Sequence, residues 1–152
     1  MSSHQLPSVL LVDDNEETCT LVKALLRREF SVETAHEGAE AIELLRTKSF
    51  GAVLLDLRMP NIDGFGVLDH LATNRPEVLR RIIVLTASLT VSDVERVNRY
   101  AVFDLIRKPF DVDVLLSAVR RCASNGDSSL APLISAGMLP VLARLLRDRF
   151  LL

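Results

Sequence analysis

Short apolar runs punctuate this chain, and each stops abruptly at a polar or turn-forming residue. Val9-Leu10-Leu11-Val12 ends at Asp13-Asp14-Asn15, Ala52-Val53-Leu54-Leu55 at Asp56, and Ile82-Ile83-Val84-Leu85 at Thr86-Ala87-Ser88. A shorter run, Leu105-Ile106-Arg107, ends at Lys108-Pro109, and a weaker one, Val32-Glu33-Thr34-Ala35, lies between the first two. Unbroken runs bounded by turn residues predict strands buried on both faces. After Asp56, Met59-Pro60 and Asp63-Gly64 stop any regular element.

Between these runs the period changes. Val22, Leu25, Leu26 and Phe30 recur at helical spacing, as do Ala41, Ile42, Leu44 and Leu45, then Phe65, Leu68, Leu71 and Ala72. A fourth helix is expected to start at Ser92, which has capping-box spacing to Glu95, with the thin face Val94, Val97 and Ala101. The fifth carries Val112, Leu115, Leu116, Val119 and Cys122. Strands alternating with helices predict an α/β domain, a five-stranded parallel sheet with helices on both faces and right-handed crossovers.

Composition adds mainly exclusions. The chain has 152 residues, 49% hydrophobic and 25% charged, a globular balance. A formal net charge of -2 offers no basic stripe for nucleic acid. The start lacks the pattern of a signal peptide, and no apolar run is long enough for a membrane span, so a cytoplasmic, soluble protein is expected. Cys19 and Cys122 have no metal-ligand spacing and fall at opposite ends of the predicted fold, so both are expected to be free, buried thiols.

The strand ends carry the candidate chemistry. Asp13, Asp14, Asp56, Thr86 and Lys108 each follow an apolar run, which places all of them at the carboxyl edge of the sheet, where open α/β folds bind ligands. Clustered carboxylates repel one another and call for a cation; hard oxygen ligands with room for water suit Mg²⁺. His4, His36 and His70 fall on none of these strand ends and read as incidental. A Mg²⁺ ion beside Asp56 would favour an incoming phosphoryl group, which Lys108 could pair with and Thr86 could hydrogen-bond. Asp56 is then a candidate nucleophile that forms an aspartyl phosphate.

Taken together, Val12-Asp13-Asp14, Leu55-Asp56 with Met59-Pro60 and Asp63-Gly64, Leu85-Thr86-Ala87 and Lys108-Pro109-Phe110 resemble the receiver domain of two-component response regulators. The resemblance covers about residues 8–123. It implies strand order 2-1-3-4-5 and a cis Lys108–Pro109 bond. It also implies phosphorylation of Asp56 by a phosphohistidine of a sensor histidine kinase or histidine phosphotransfer protein. Mg²⁺ would be held by Asp14, Asp56 and the backbone carbonyl of Arg58, with Asp13 acting through water, while Thr86 and Lys108 contact the phosphoryl group.

Some positions depart from the family pattern. Leu105 stands where an aromatic residue is common, Ala101 replaces a frequent glycine, and Arg58 puts a long cation at the mouth of the site. Arg58 is expected to affect how fast water reaches the acyl phosphate. It also weighs against an aspartyl-phosphate hydrolase, since such enzymes often carry a general acid two residues after the nucleophile, where this chain has Arg58. The expected role is therefore not enzymatic beyond assisting its own phosphorylation and dephosphorylation. Output would pass through contacts with a downstream protein target. A non-phosphorylated scaffold and a receiver fragment of a longer regulator are the alternative readings.

Residues 124–129 read as a polar linker. Residues 130–152 read as a C-terminal amphipathic helical tail placing Leu139, Leu142, Leu145, Leu146 and Phe150 on one face. The tail is expected either to pack on its own receiver or to support a homodimer or partner contact.

Overall fold

The computed structural model describes residues 4–125. Strands β1 (Ser8–Val12), β2 (Ser31–Ala35), β3 (Ala52–Leu55), β4 (Ile82–Thr86) and β5 (Asp104–Arg107) alternate with helices α1 (Glu16–Leu26), α2 (Gly38–Thr47), α3 (Gly64–Asn74), α4 (Val91–Val97) and α5 (Val112–Ser124). All pairings are parallel, in the expected order β2-β1-β3-β4-β5. The predicted tail, residues 130–152, lies outside the described residues, as does most of the predicted linker; Ser124 is still helical.

The apolar runs are continuous because the sheet is covered on both sides. Val9, Leu11, Leu54, Ile83 and Leu85 join one core with Val22 and Leu26 of α1 and Leu115 and Val119 of α5. Leu10, Val12, Val53, Leu55 and Val84 join the other, with Ala41 of α2, Leu68 of α3 and Val97 of α4. Successive strand residues thus feed opposite cores, and none of these strand positions can be polar. Both sulfurs, in α1 and α5, are buried and free. Burial pushes the Cys19 thiol up to about 11 and the Cys122 thiol up to about 12, so neither is a ready thiolate.

The helix faces differ in detail from the spacing argument. Leu26 ends α1, and Phe30 fills the core from beyond it. In α3 the buried stripe includes Val67, whereas Ala72 is exposed. Val112 is exposed at the start of α5, and Ala118 is buried in its place. The fourth helix starts earlier than Ser92. Thr90 is the N-cap and accepts from the Asp93 N–H at 3.1 Å, while Asp93 Oδ2 accepts from the Thr90 N–H at 2.9 Å. That reciprocal pair satisfies two backbone donors, which Ser92 and Glu95 do not. Ala101 lies beyond the end of α4 and is exposed, so it is no part of the helix face. A 3-10 turn at Pro76–Arg81, opened by its proline, leads into β4 and was not apparent from the pattern.

Candidate functional site

Sheet register brings the site together. Val12 pairs with Leu55, so Asp13 and Asp56 each emerge one residue later on adjacent strands, and the Asp56 N–H donates to the Val12 carbonyl at 2.9 Å. Thr86 pairs with Arg107, and the Lys108 N–H donates to the Thr86 carbonyl at 2.9 Å. The cis Lys108–Pro109 peptide expected from the resemblance follows directly. Asp13 is 1% exposed, Asp56 8% and Thr86 0%, so three polar groups are carried into a nearly dry edge.

Burying charge this way requires partners. Lys108 Nζ lies 2.5 Å from Asp13 Oδ2 and 3.9 Å from Asp56 Oδ2, one cation between two buried acids. The Asn15 N–H donates to Asp13 Oδ1 at 2.9 Å, and the Arg58 N–H to Asp56 Oδ1 at 3.3 Å. Burial nonetheless pushes the Asp56 carboxyl above the usual carboxylate range, against the pull of Lys108 and the Arg58 N–H. Asp13 repels it and pushes the same way. Thr86 Oγ1 is close enough to Asp56 to favour its charged form weakly, yet it closes no hydrogen bond of normal geometry. A buried hydroxyl without a partner is costly unless something else arrives to accept from it.

The loop that follows Asp56 is held by its own apolar residues. Leu57 is fully buried and Met59 is 8% exposed, so the segment that looked like a plain turn is pinned to the core at two points. Asn61 takes a left-handed backbone conformation (φ 63°), which asparagine tolerates better than most residues. Asp63 caps α3 by accepting from the Gly66 N–H at 2.8 Å. Gly64 sits so close to the Asp56 and Leu57 backbone that a Cβ would lie 2.3 Å from the Asp56 carbonyl oxygen.

Carboxylate oxygens of Asp13, Asp14 and Asp56 all lie within 4.8 Å of one another, with Asp14 exposed to solvent. An all-oxygen, trianionic set with one open side fits a hard divalent cation that keeps some of its water, as Mg²⁺ does. The unpartnered Thr86 hydroxyl and the Lys108 ammonium lie at the same edge, where an anion joining that cation would meet both.

Three residues make contacts that the sequence pattern did not show. Arg58 is half exposed, and its Nη2 contacts Asp93 Oδ2 at 2.5 Å, joining the loop after Asp56 to the cap of α4. His36 keeps a side chain 40% exposed, and its Nδ1 also lies 3.3 Å from the Asp13 carbonyl, a contact that needs the proton on Nδ1. Asp93 was missed, although Thr90-x-x-Asp93 is itself a capping-box spacing that the sequence displays. Burial opposes ionisation of Asp93, but the Thr90 N–H, the Thr90 hydroxyl and Arg58 outweigh it and hold the carboxyl below its usual range.

Among the described residues no helix is long and apolar enough to cross a membrane. The sequence matches the response regulator receiver domain over residues 9–120. It is 32% identical over 133 residues to the transcriptional regulatory protein ZraR of Klebsiella oxytoca, covering 87% of this chain and 29% of that protein. To the transcriptional regulatory protein GlrR of Escherichia coli K12 it is 33% identical over 118 residues, covering 77% of this chain and 26% of that protein. The chain thus spans less than a third of the length of these relatives. Among solved structures, the receiver domain of a sensor histidine kinase from Pseudomonas aeruginosa PAO1, with magnesium coordinated in its active-site cleft, superposes with a TM-score of 0.70. That match is 27% identical and covers 78% of this chain and 98% of the other. The signal receiver domain of a histidine kinase from Syntrophus aciditrophicus gives a TM-score of 0.73 at 26% identity, covering 81% and 94%. Strand order, the acidic edge and these similarities converge, and the chain belongs to the response regulator receiver domain family.

Proposed function

We propose that this chain is a phosphorylation-switched signalling module of a two-component system, acting in the cytoplasm, with Asp56 as phosphoacceptor. The observation that carries the reading is the grouping of Asp13, Asp14 and Asp56 oxygens within 4.8 Å, with Lys108 3.9 Å from Asp56 and an unpartnered Thr86 hydroxyl at the same edge. Each of these groups is hard to explain as stability alone, and together they complement a phosphoryl group. Asp13, Asp14, Asp56 and the Arg58 carbonyl would hold Mg²⁺, which when bound neutralises charge on the phosphoryl oxygens.

In the transfer step an Asp56 carboxylate oxygen attacks the phosphorus of a phosphohistidine on a sensor kinase or phosphotransfer protein. The P–N bond breaks, and the imidazole keeps the electron pair and takes up a proton. Lys108 stabilises charge on the phosphoryl oxygens, and Thr86 donates its hydroxyl hydrogen to one of them. In release, water attacks the phosphorus, the carboxylate leaves and inorganic phosphate departs. Output runs through a protein target on the face formed by α4 and α5, by biasing an equilibrium between two surfaces.

Incubation with Mg²⁺ and acetyl phosphate tests this by intact mass. One added phosphoryl group on the wild type and none on Asp56→Asn is the expected result. An unmodified wild type would reject the phosphoacceptor role and favour a scaffold.

A further inference from the structure

Arg58 and Asp93 are far apart in sequence, yet their 2.5 Å contact joins the loop bearing the phosphoacceptor to the first turn of α4. The oxygen that Arg58 contacts, Asp93 Oδ2, is also the one that accepts from the Thr90 N–H in the capping box. The guanidinium therefore helps fix the side chain that closes the cap. α4 spans only Val91–Val97, about two turns, and a helix this short depends on its cap and its packing to stay formed. Its other end is tied to α3. Arg96 Nη2 reaches Asp69 Oδ2 at 3.1 Å, the Tyr100 hydroxyl bonds the same carboxylate, and the Arg96 guanidinium lies 4.1 Å over the Phe65 ring.

Arg58 is tethered close to Asp56, since its backbone N–H donates to Asp56 Oδ1 at 3.3 Å. Its side chain is 49% exposed, so the guanidinium can swing without leaving water. Asp93 is 11% exposed and keeps the Thr90 N–H when the guanidinium leaves, so Arg58 can be drawn to a stronger partner. A phosphoryl group on Asp56 would be one: it carries about −1.5 to −2 charge and offers an arginine a two-pronged contact. Leu105, 3% exposed in the core of β5, has no polar group with which to report the change.

We infer that Arg58 is the positioning residue that passes the state of Asp56 to α4: the phosphorylated carboxyl draws the guanidinium off Asp93, and the Thr90–Asp93 cap loosens. This inference rests on the phosphoacceptor reading above. The switch is an exchange of ion-pair partners, with nothing formed or broken covalently. Phosphorylation would thereby alter the N-terminal turn of α4 while the Asp69 contacts hold the other end on α3.

The test is amide hydrogen exchange at Asp93 and Val94, with and without Mg²⁺ and acetyl phosphate, with intact mass taken on the same samples. Phosphorylated wild type is expected to exchange roughly fivefold faster at these amides, the scale of losing one cap interaction. In Arg58→Ala the phosphorylation-dependent difference should vanish, because the contact is already gone in both states. Arg58→Lys, which keeps a cation on the loop, should restore part of it, which a purely structural role would not produce. A phosphorylated wild type with unchanged α4 exchange would overturn the inference, and so would an Arg58→Ala response equal to wild type. A wild type that gains no mass would instead overturn the phosphoacceptor reading, and this inference with it.

Discussion

Replacing Gly64 by alanine probes how tightly the phosphoacceptor loop is built. The added Cβ would meet the Asp56 carbonyl oxygen at 2.3 Å and the Leu57 Cα at 2.7 Å, whereas ordinary contact begins near 3.4 Å. Both obstacles are backbone, so relief requires the start of α3 or the Asp56 peptide to retreat by about 1 Å, against the Gly64 N–H bond to the Leu57 carbonyl at 3.1 Å. Overpacking of this kind costs roughly 1–3 kcal/mol, and the helix preference of alanine over glycine returns at most about 1. At the middle of that range the net loss is about 1 kcal/mol, or roughly 4 °C in melting temperature for a domain of this size. Gly66→Ala is the matched control. Its Cβ would meet the Ile62 Cγ2 at 2.9 Å, but Ile62 is a 38% exposed side chain that can turn aside. Urea unfolding followed by circular dichroism should show a lower midpoint for Gly64→Ala and little change for Gly66→Ala. A Mg²⁺ titration should show weaker binding only in the former, because the displaced peptide carries the Asp56 carboxylate with it. Equal midpoints for wild type and Gly64→Ala, or an equal loss in both variants, would refute the packing argument.

Two further predictions concern charge at the same edge. Burial raises the Asp56 pKa, so the folded state disfavours the ionised carboxyl and stability falls as pH rises from the unfolded carboxylate value through the raised one. Asp56→Asn should therefore unfold at higher urea than wild type at pH 7 in metal-free buffer, with the advantage shrinking towards pH 4; an advantage independent of pH would contradict this. Lys108→Met leaves Asp13, 1% exposed, without its cation and should lower stability by on the order of 3 kcal/mol in metal-free buffer. Added Mg²⁺ should recover much of that loss, as seen by urea midpoint. A midpoint that stays depressed in Mg²⁺ would show that Lys108 supports packing more than charge.

Much of this protein follows from chain-local physics. Val9 to Val12 and Ala52 to Leu55 read as doubly buried strands because a parallel sheet between two helix layers admits no polar residue there, and both cores bear that out. Asp13 and Asp56 read as neighbours at the sheet edge because a strand's end fixes the height of the next side chain, and register then sets them side by side. Strand order came from resemblance, since local pattern says which segments are strands and not which ones pair.

Tertiary packing decided the rest. Helix periodicity continued past the end of α1 to Phe30 and past α4 to Ala101, because spacing records a repeat of apolar residues and not the turn at which the chain leaves the helix. Leu57 and Met59 looked like part of a turn, yet the space beneath that loop, created by α3 and the sheet, draws both side chains in. The Arg58–Asp93 pair depends on the β4–α4 connection bringing the first turn of α4 over the loop after β3, a distance that no local pattern encodes. The sequence alone determined which groups reach the carboxyl edge, because strand ends are local. Only the folded chain decided which of them touch, because that depends on how separate elements pack.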